Sequence, residues 1–134
     1  MKLPQDRIPL ALFALRIGVF IVMFMWTLDK FVVPEHSAAV FAGFYGITGL
    51  GPAIMYVVGA VELLIIVAFV LGIAKRFSYG AVFILHAVST LASFPMYLGF
   101  DNLLFFAAWP MLAAAFALYL LRDLDTFCIV RVRT

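Results

Sequence analysis

Charge and cysteine are what this sequence has least of. Charged residues make up 12% of its 134 residues, about half the share of an ordinary soluble domain. The single cysteine, Cys128, cannot form an internal disulfide. With no C-x-x-C pair, thiol–disulfide chemistry within one chain is excluded. There are two histidines, His36 and His86, and no phosphate-binding glycine loop or nucleophile–base motif. Gly46, Gly49 and Gly51 lead into Pro52 and read as turn chemistry.

What is present is apolar. Hydrophobic residues make up 67%, against about 45–50% in soluble domains, and a small soluble domain leaves too much surface wet to hide that share. Lipid resolves the conflict. A spanning helix needs about 20 mostly apolar residues, and the hydropathy pattern predicts four, at about 8–28, 53–73, 77–98 and 103–121. The expected architecture is an all-α membrane protein, a four-transmembrane-helix bundle forming a single membrane domain over 1–134. A short interfacial or partly re-entrant helix is expected between spans one and two, because 37–45 is alanine- and phenylalanine-rich but too short to cross. The N-terminal apolar run is too long for a cleavable signal peptide. Trp109-Pro110 should kink the last span.

The net charge of +2 is unevenly distributed. Lys2, Arg7, Lys75, Arg76, Arg122, Arg131 and Arg133 fall on one side of the predicted topology and Lys30 alone on the other. The positive-inside rule then makes both termini cytoplasmic, with the 31–52 connection and the 99–102 turn facing the periplasm or exterior.

Three ionisable side chains fall inside the predicted spans: Arg16, Glu62 and His86. From a rise of 1.5 Å per residue they lie about 12, 15 and 13 Å deep. A lipid-facing charge at the centre costs at least about 2.5–3.5 kcal/mol, so the three are expected to meet as one polar centre, with Arg16 and Glu62 as an ion pair and His86 beside them. Such a pair also serves simply to fix helix register. Tyr79, His86, Ser89, Thr90, Ser93 and Tyr97 share one broad face of the third span, a polar stripe that also reads as helix–helix glue. Trp26, Asp29, Lys30, Glu35, His36, Asp101 and Asn102 gather at the outer rim. They are either a mouth above the stripe or a solvated loop, and Trp26 sits one turn before Lys30, within reach of a cation–π contact. The two histidines are half a membrane apart and no shared metal is expected. A haem on one histidine and Met23, Met55 or Met96 is singled out by nothing in the spacing.

Several of these residues resemble the DoxX-like family of small bacterial membrane proteins. The resemblance rests on Leu15-Arg16-Ile-Gly18 followed by Asp29-Lys30-Phe31, on a loop with Phe44, Gly49 and Pro52, and on Gly59-Ala-Val-Glu62-Leu followed by Leu71-Gly72-Ile-Ala-Lys75-Arg76. It covers roughly residues 8–122. It implies a four-helix bundle with Arg16 and Glu62 as characteristic positions, and kinship with subunits of quinone-linked oxidoreductases, including those of thiosulfate oxidation. A more distant relative, a methylamine-utilisation maturation protein, is linked to disulfide chemistry, for which this sequence lacks the cysteines. Three readings stand open: an accessory or quinone-interacting subunit beside a membrane oxidoreductase partner, a small proton-coupled transporter acting as a homo-oligomer, or a structural or assembly protein without ligand. Quinone is the cofactor the first implies. The lipid bilayer is a partner in all three, and nucleic acid in none.

Overall fold

The computed structural model describes residues 7–131. Lys2 and Arg133, counted above toward the basic side, lie outside them. The fold is all-α, with five α-helices: α1 Arg7–Val32, α2 Pro34–Tyr45, α3 Pro52–Leu71, α4 Lys75–Ala92 and α5 Ala108–Leu120. Two 3-10 segments, Phe94–Tyr97 and Leu103–Ala107, lie between α4 and α5.

Proline and glycine set most of the boundaries. Pro34 bars helical geometry at Val33, which takes φ −134°, and so closes α1 and opens α2. Gly46, at φ 67°, ends α2 in the left-handed conformation, and Gly72, at φ 70°, ends α3 in the same way. Pro52 opens α3. Pro95 follows shortly after α4 and opens a 3-10 turn. Pro110 falls in the first turn of α5, where its missing N–H has no intrahelical partner to lose. The expected kink is therefore replaced by a change from 3-10 to α geometry just before it.

The structure corrects the span count. Among the described residues three stretches, not four, are helical, long and apolar enough to cross a membrane: Arg7–Val32, Pro52–Leu71 and Leu103–Leu120. The third of the four predicted spans, 77–98, is realised as α4, which stops at Ala92 after 18 residues. That helix opens on Lys75 and Arg76 and carries Ser78, Tyr79, His86, Ser89 and Thr90, so its length is not matched by sufficient apolarity.

The helices run antiparallel. The start of α1, the end of α3, the start of α4 and the end of α5 meet at one end, tied by the segment after α5: the Val130 N–H donates to the Leu71 carbonyl, and Lys75 to the Arg122 carbonyl. Arg7, Lys75, Arg76, Arg122 and Arg131 collect there, whereas α2 and the turns around Asp101 sit at the opposite end. α1 packs chiefly on α3, and α4 on α5. Gly59 lets α1 approach α3, since a Cβ there would lie 2.9 Å from the Phe31 ring.

The burial pattern is inverted relative to a soluble protein. The interior combines Leu12, Val19, Ile66, Phe69, Val82 and Leu118 with Arg16, Thr27, Lys30, Ser78, His86, Thr90 and Asp125. The outside carries Leu64 and Phe77, each 74% exposed, with Ile21, Met25, Val57, Ile84 and Leu91. α4 shows it most sharply, with Ser78, Tyr79, His86 and Thr90 turned inward and Phe77, Ile84, Val88 and Leu91 turned out. Water penalises such a surface by about 25 cal/mol per Å² of exposed apolar area, whereas acyl chains do not. The chain is a multi-pass membrane protein with a buried polar network.

Candidate functional site

The buried polar groups form three separate clusters. The first lies at the basic end. Arg16, wholly buried on α1, donates from Nη1 to the Tyr79 hydroxyl at 3.3 Å and faces Asp125 Oδ2 at 3.6 Å. Its Nη2 donates to the backbone carbonyls of Phe127 at 2.5 Å and Cys128 at 3.2 Å. The Tyr79 hydroxyl in turn donates to Asp125 Oδ2 at 2.7 Å. Lys75 caps the cluster by donating to the carbonyls of Arg122 and Asp125. Burial pushes the Lys75 ammonium below its ordinary value, against the opposing pull of Asp125. A guanidinium out of reach of water is thus met by one carboxylate, one phenol and two carbonyls, while Arg16 Nε and Asp125 Oδ1 take no hydrogen bond among the described residues.

The second cluster joins α1 to α3. Lys30 Nζ pairs with Glu62 Oε2 at 2.9 Å and donates to the Trp26 carbonyl at 3.2 Å. The Thr27 hydroxyl lies 3.3 Å from Glu62 Oε2 and 2.8 Å from the Met23 carbonyl. The third cluster joins α4 to α5. His86 Nε2 lies 2.9 Å from the Ala108 carbonyl and 3.3 Å from the Thr90 hydroxyl, and the Tyr97 hydroxyl donates to the Thr90 carbonyl at 2.9 Å.

Arg16, Glu62 and His86 are therefore held by separate partners. The Arg16 guanidinium reaches the level of Gly72, where a Cβ would lie 3.2 Å from Nη1. Glu62 lies ten residues earlier on α3, about 15 Å away along the axis. The expected depths assumed that Arg16 projects level with its own Cα. The side chain instead lies toward the basic end, because the tail after α5 folds back to meet it. Of the stripe on α4 and beyond, Tyr79, His86, Thr90 and Ser93 are buried, whereas Ser89 is exposed. Lys30 meets the backbone carbonyl of Trp26, not the ring.

At the opposite end, Asp29 Oδ2 accepts from Ser37 at 2.7 Å and lies 2.7 Å from His36 Nδ1. The His36 ring stacks on Trp26, with centroids 6.3 Å apart. Glu35, Asp101 and Asn102 are exposed. Among the described residues, no three of His, Cys, Asp and Glu gather closely enough to hold a metal ion. An open apolar groove of about 330 Å³ lies on the outer face of α4 and α5, walled by Phe83, Trp109, Leu112, Ala113 and Phe116.

Sequence reasoning missed Asp125, the carboxylate that meets Arg16, because Arg122-Asp-Leu-Asp125 reads as a solvated tail. No family model, curated protein or solved structure matches the chain.

Proposed function

We propose that this chain is an accessory, quinone-interacting subunit of a membrane redox system, of the DoxX-like kind, set in a bacterial inner membrane with its basic end toward the cytoplasm. The observation that carries the reading is the groove on α4 and α5. It is apolar, it lies open on the outer face of the bundle, and three aromatic side chains, Phe83, Trp109 and Phe116, line it. Its volume of about 330 Å³ lies at the lower end of the about 300–1,000 Å³ usual for small-molecule sites. A quinone dissolved in the bilayer presents a flat ring for stacking, and the Trp109 indole supplies an N–H donor for a ring carbonyl. His86 stands behind this wall, one turn from Phe83 on α4.

The sequence has two tryptophans, Trp26 and Trp109, so a Trp26→Phe protein reports the groove alone. Titration with a short-chain quinone in lipid nanodiscs should quench Trp109 emission saturably, with affinity weakened at least tenfold by Phe83→Ala or Phe116→Ala. Linear, non-saturating quenching would remove the quinone reading. The orientation is tested by Cys128, which is exposed in the segment after α5. A membrane-impermeant maleimide should label it in inverted vesicles and not in spheroplasts.

One observation favours a second reading, that of an assembly subunit without ligand. The three polar clusters are met largely within the chain, as packing devices would be. Co-purification with an oxidoreductase partner that persists in Phe83→Ala and Phe116→Ala would favour it.

A further inference from the structure

The rim where α1 meets α2 holds an open depression of about 200 Å³, unrelated to the groove on α4 and α5 and lined by Met25, Trp26, Asp29 and His36. We propose that it binds a small organic ammonium cation, of the kind carried by choline or a lipid headgroup.

Three features support this. The first is charge. Lys30, adjacent to Asp29 in the chain, turns the other way and is neutralised by Glu62 at 2.9 Å. Among the described residues Asp29 pairs with His36 at 2.7 Å and with no lysine or arginine, and Glu35 adds a second negative charge in the first turn of α2. Both contacts to the Asp29 carboxylate, from His36 and Ser37, fall on Oδ2, so among the described residues Oδ1 takes no hydrogen bond.

The second is the wall. Trp26 is 50% exposed and its indole is held in place by the stacked His36 ring, 6.3 Å away and tilted by 20°. Indole is the best of the aromatic faces for a cation, and the thioether of Met25 adds a soft, polarisable contact. The third is selectivity by size and ligand type. Hard metal ions want several oxygens, and this cavity offers one carboxylate among apolar and aromatic groups. A volume of about 200 Å³ is below that of a drug-sized site and suits a headgroup-sized ion.

The test uses Trp109→Phe protein, in which Trp26 is the sole indole, in nanodiscs of pure phosphatidylglycerol. Tetramethylammonium chloride is titrated against sodium chloride at equal ionic strength. The expected result is a saturable change in Trp26 emission that sodium does not produce, weakened about tenfold by Asp29→Asn. Calorimetry on Trp26→Leu reads the same loss without the fluorophore, and unchanged thermal unfolding of each variant separates loss of binding from loss of fold. If phosphatidylcholine nanodiscs shift Trp26 emission and abolish the response to added tetramethylammonium, the lipid headgroup is the natural occupant. If the response persists there, a soluble cation is. Identical responses to sodium and tetramethylammonium, or equal affinity in Asp29→Asn and the parent, would overturn the proposal. Because the readout is Trp26, its failure leaves the quinone groove at Trp109 untouched.

Discussion

Arg16 and Asp125 should behave as one energetic unit. Arg16→Leu leaves the Asp125 carboxylate, which is wholly buried, with the Tyr79 hydroxyl as its remaining side-chain partner, and removing one partner of a buried pair costs about 3–5 kcal/mol. Asp125→Leu leaves the guanidinium with Tyr79 and the carbonyls of Phe127 and Cys128, so the loss is of the same kind and somewhat smaller. Replacing both removes the uncompensated charge. What then remains is the loss of a donor to two tail carbonyls, about 1–3 kcal/mol. The two single losses should therefore exceed the double loss by at least about 3 kcal/mol, the upper end of contact coupling energies. Unfolding of purified protein in mixed micelles with increasing sodium dodecyl sulfate, followed by circular dichroism, measures all four corners of the cycle. The parallel cycle of Arg16→Leu with Glu62→Leu should be additive, because the two clusters lie about 15 Å apart along α3. Additivity within about 0.5 kcal/mol for Arg16 with Asp125 would refute the assignment, and coupling of Arg16 to Glu62 would restore the pair that the sequence suggests.

Gly72→Ala forces a Cβ into a residue at φ 70° and within 2.6 Å of Ile129. Left-handed geometry alone costs about 1–2 kcal/mol, and Ile129→Ala in the same chain should recover the remainder, read as a partial return of the unfolding midpoint. Lys30→Met leaves Glu62 unpaired but partly open, at 19% side-chain exposure. The expected loss is about 1–3 kcal/mol, below that of a sealed pair, and Lys30→Met with Glu62→Leu should restore most of it. Tyr79→Phe deletes the hydroxyl that bridges Arg16 and Asp125, and should lower stability by about 1.5–3 kcal/mol without altering helix content.

Some of this was legible in the sequence. Pro34, Gly46, Pro52 and Gly72 act through local backbone sterics, so they mark helix ends wherever they occur. The inward face of α1, with Arg16, Thr27 and Lys30 on one stripe, follows from helical spacing alone. The number of spanning helices was not legible, because α4 places its polar residues on one face and its apolar ones on the other, and a search for apolar stretches does not weigh faces. Nor was the choice of partners. Arg16 has a long side chain that can travel along the bundle axis, so an estimate of depth from its Cα places its charge too far from the basic end. The tail after α5 has no periodic pattern, and its role depends on folding back over Gly72, a long-range event that local spacing does not record.

The fold-back of that tail bears on how the protein is made. The Phe127 carbonyl that Arg16 grips lies 111 residues downstream, so when α1 leaves the ribosome its arginine has none of the groups that will finally receive it. During synthesis that cation must be hydrated, paired with lipid phosphate, or sheltered by the insertion machinery until the segment after α5 has emerged. That segment then closes like a latch, and a chain interrupted before Asp125 would present the cell's quality control with an unmet positive charge in its first helix.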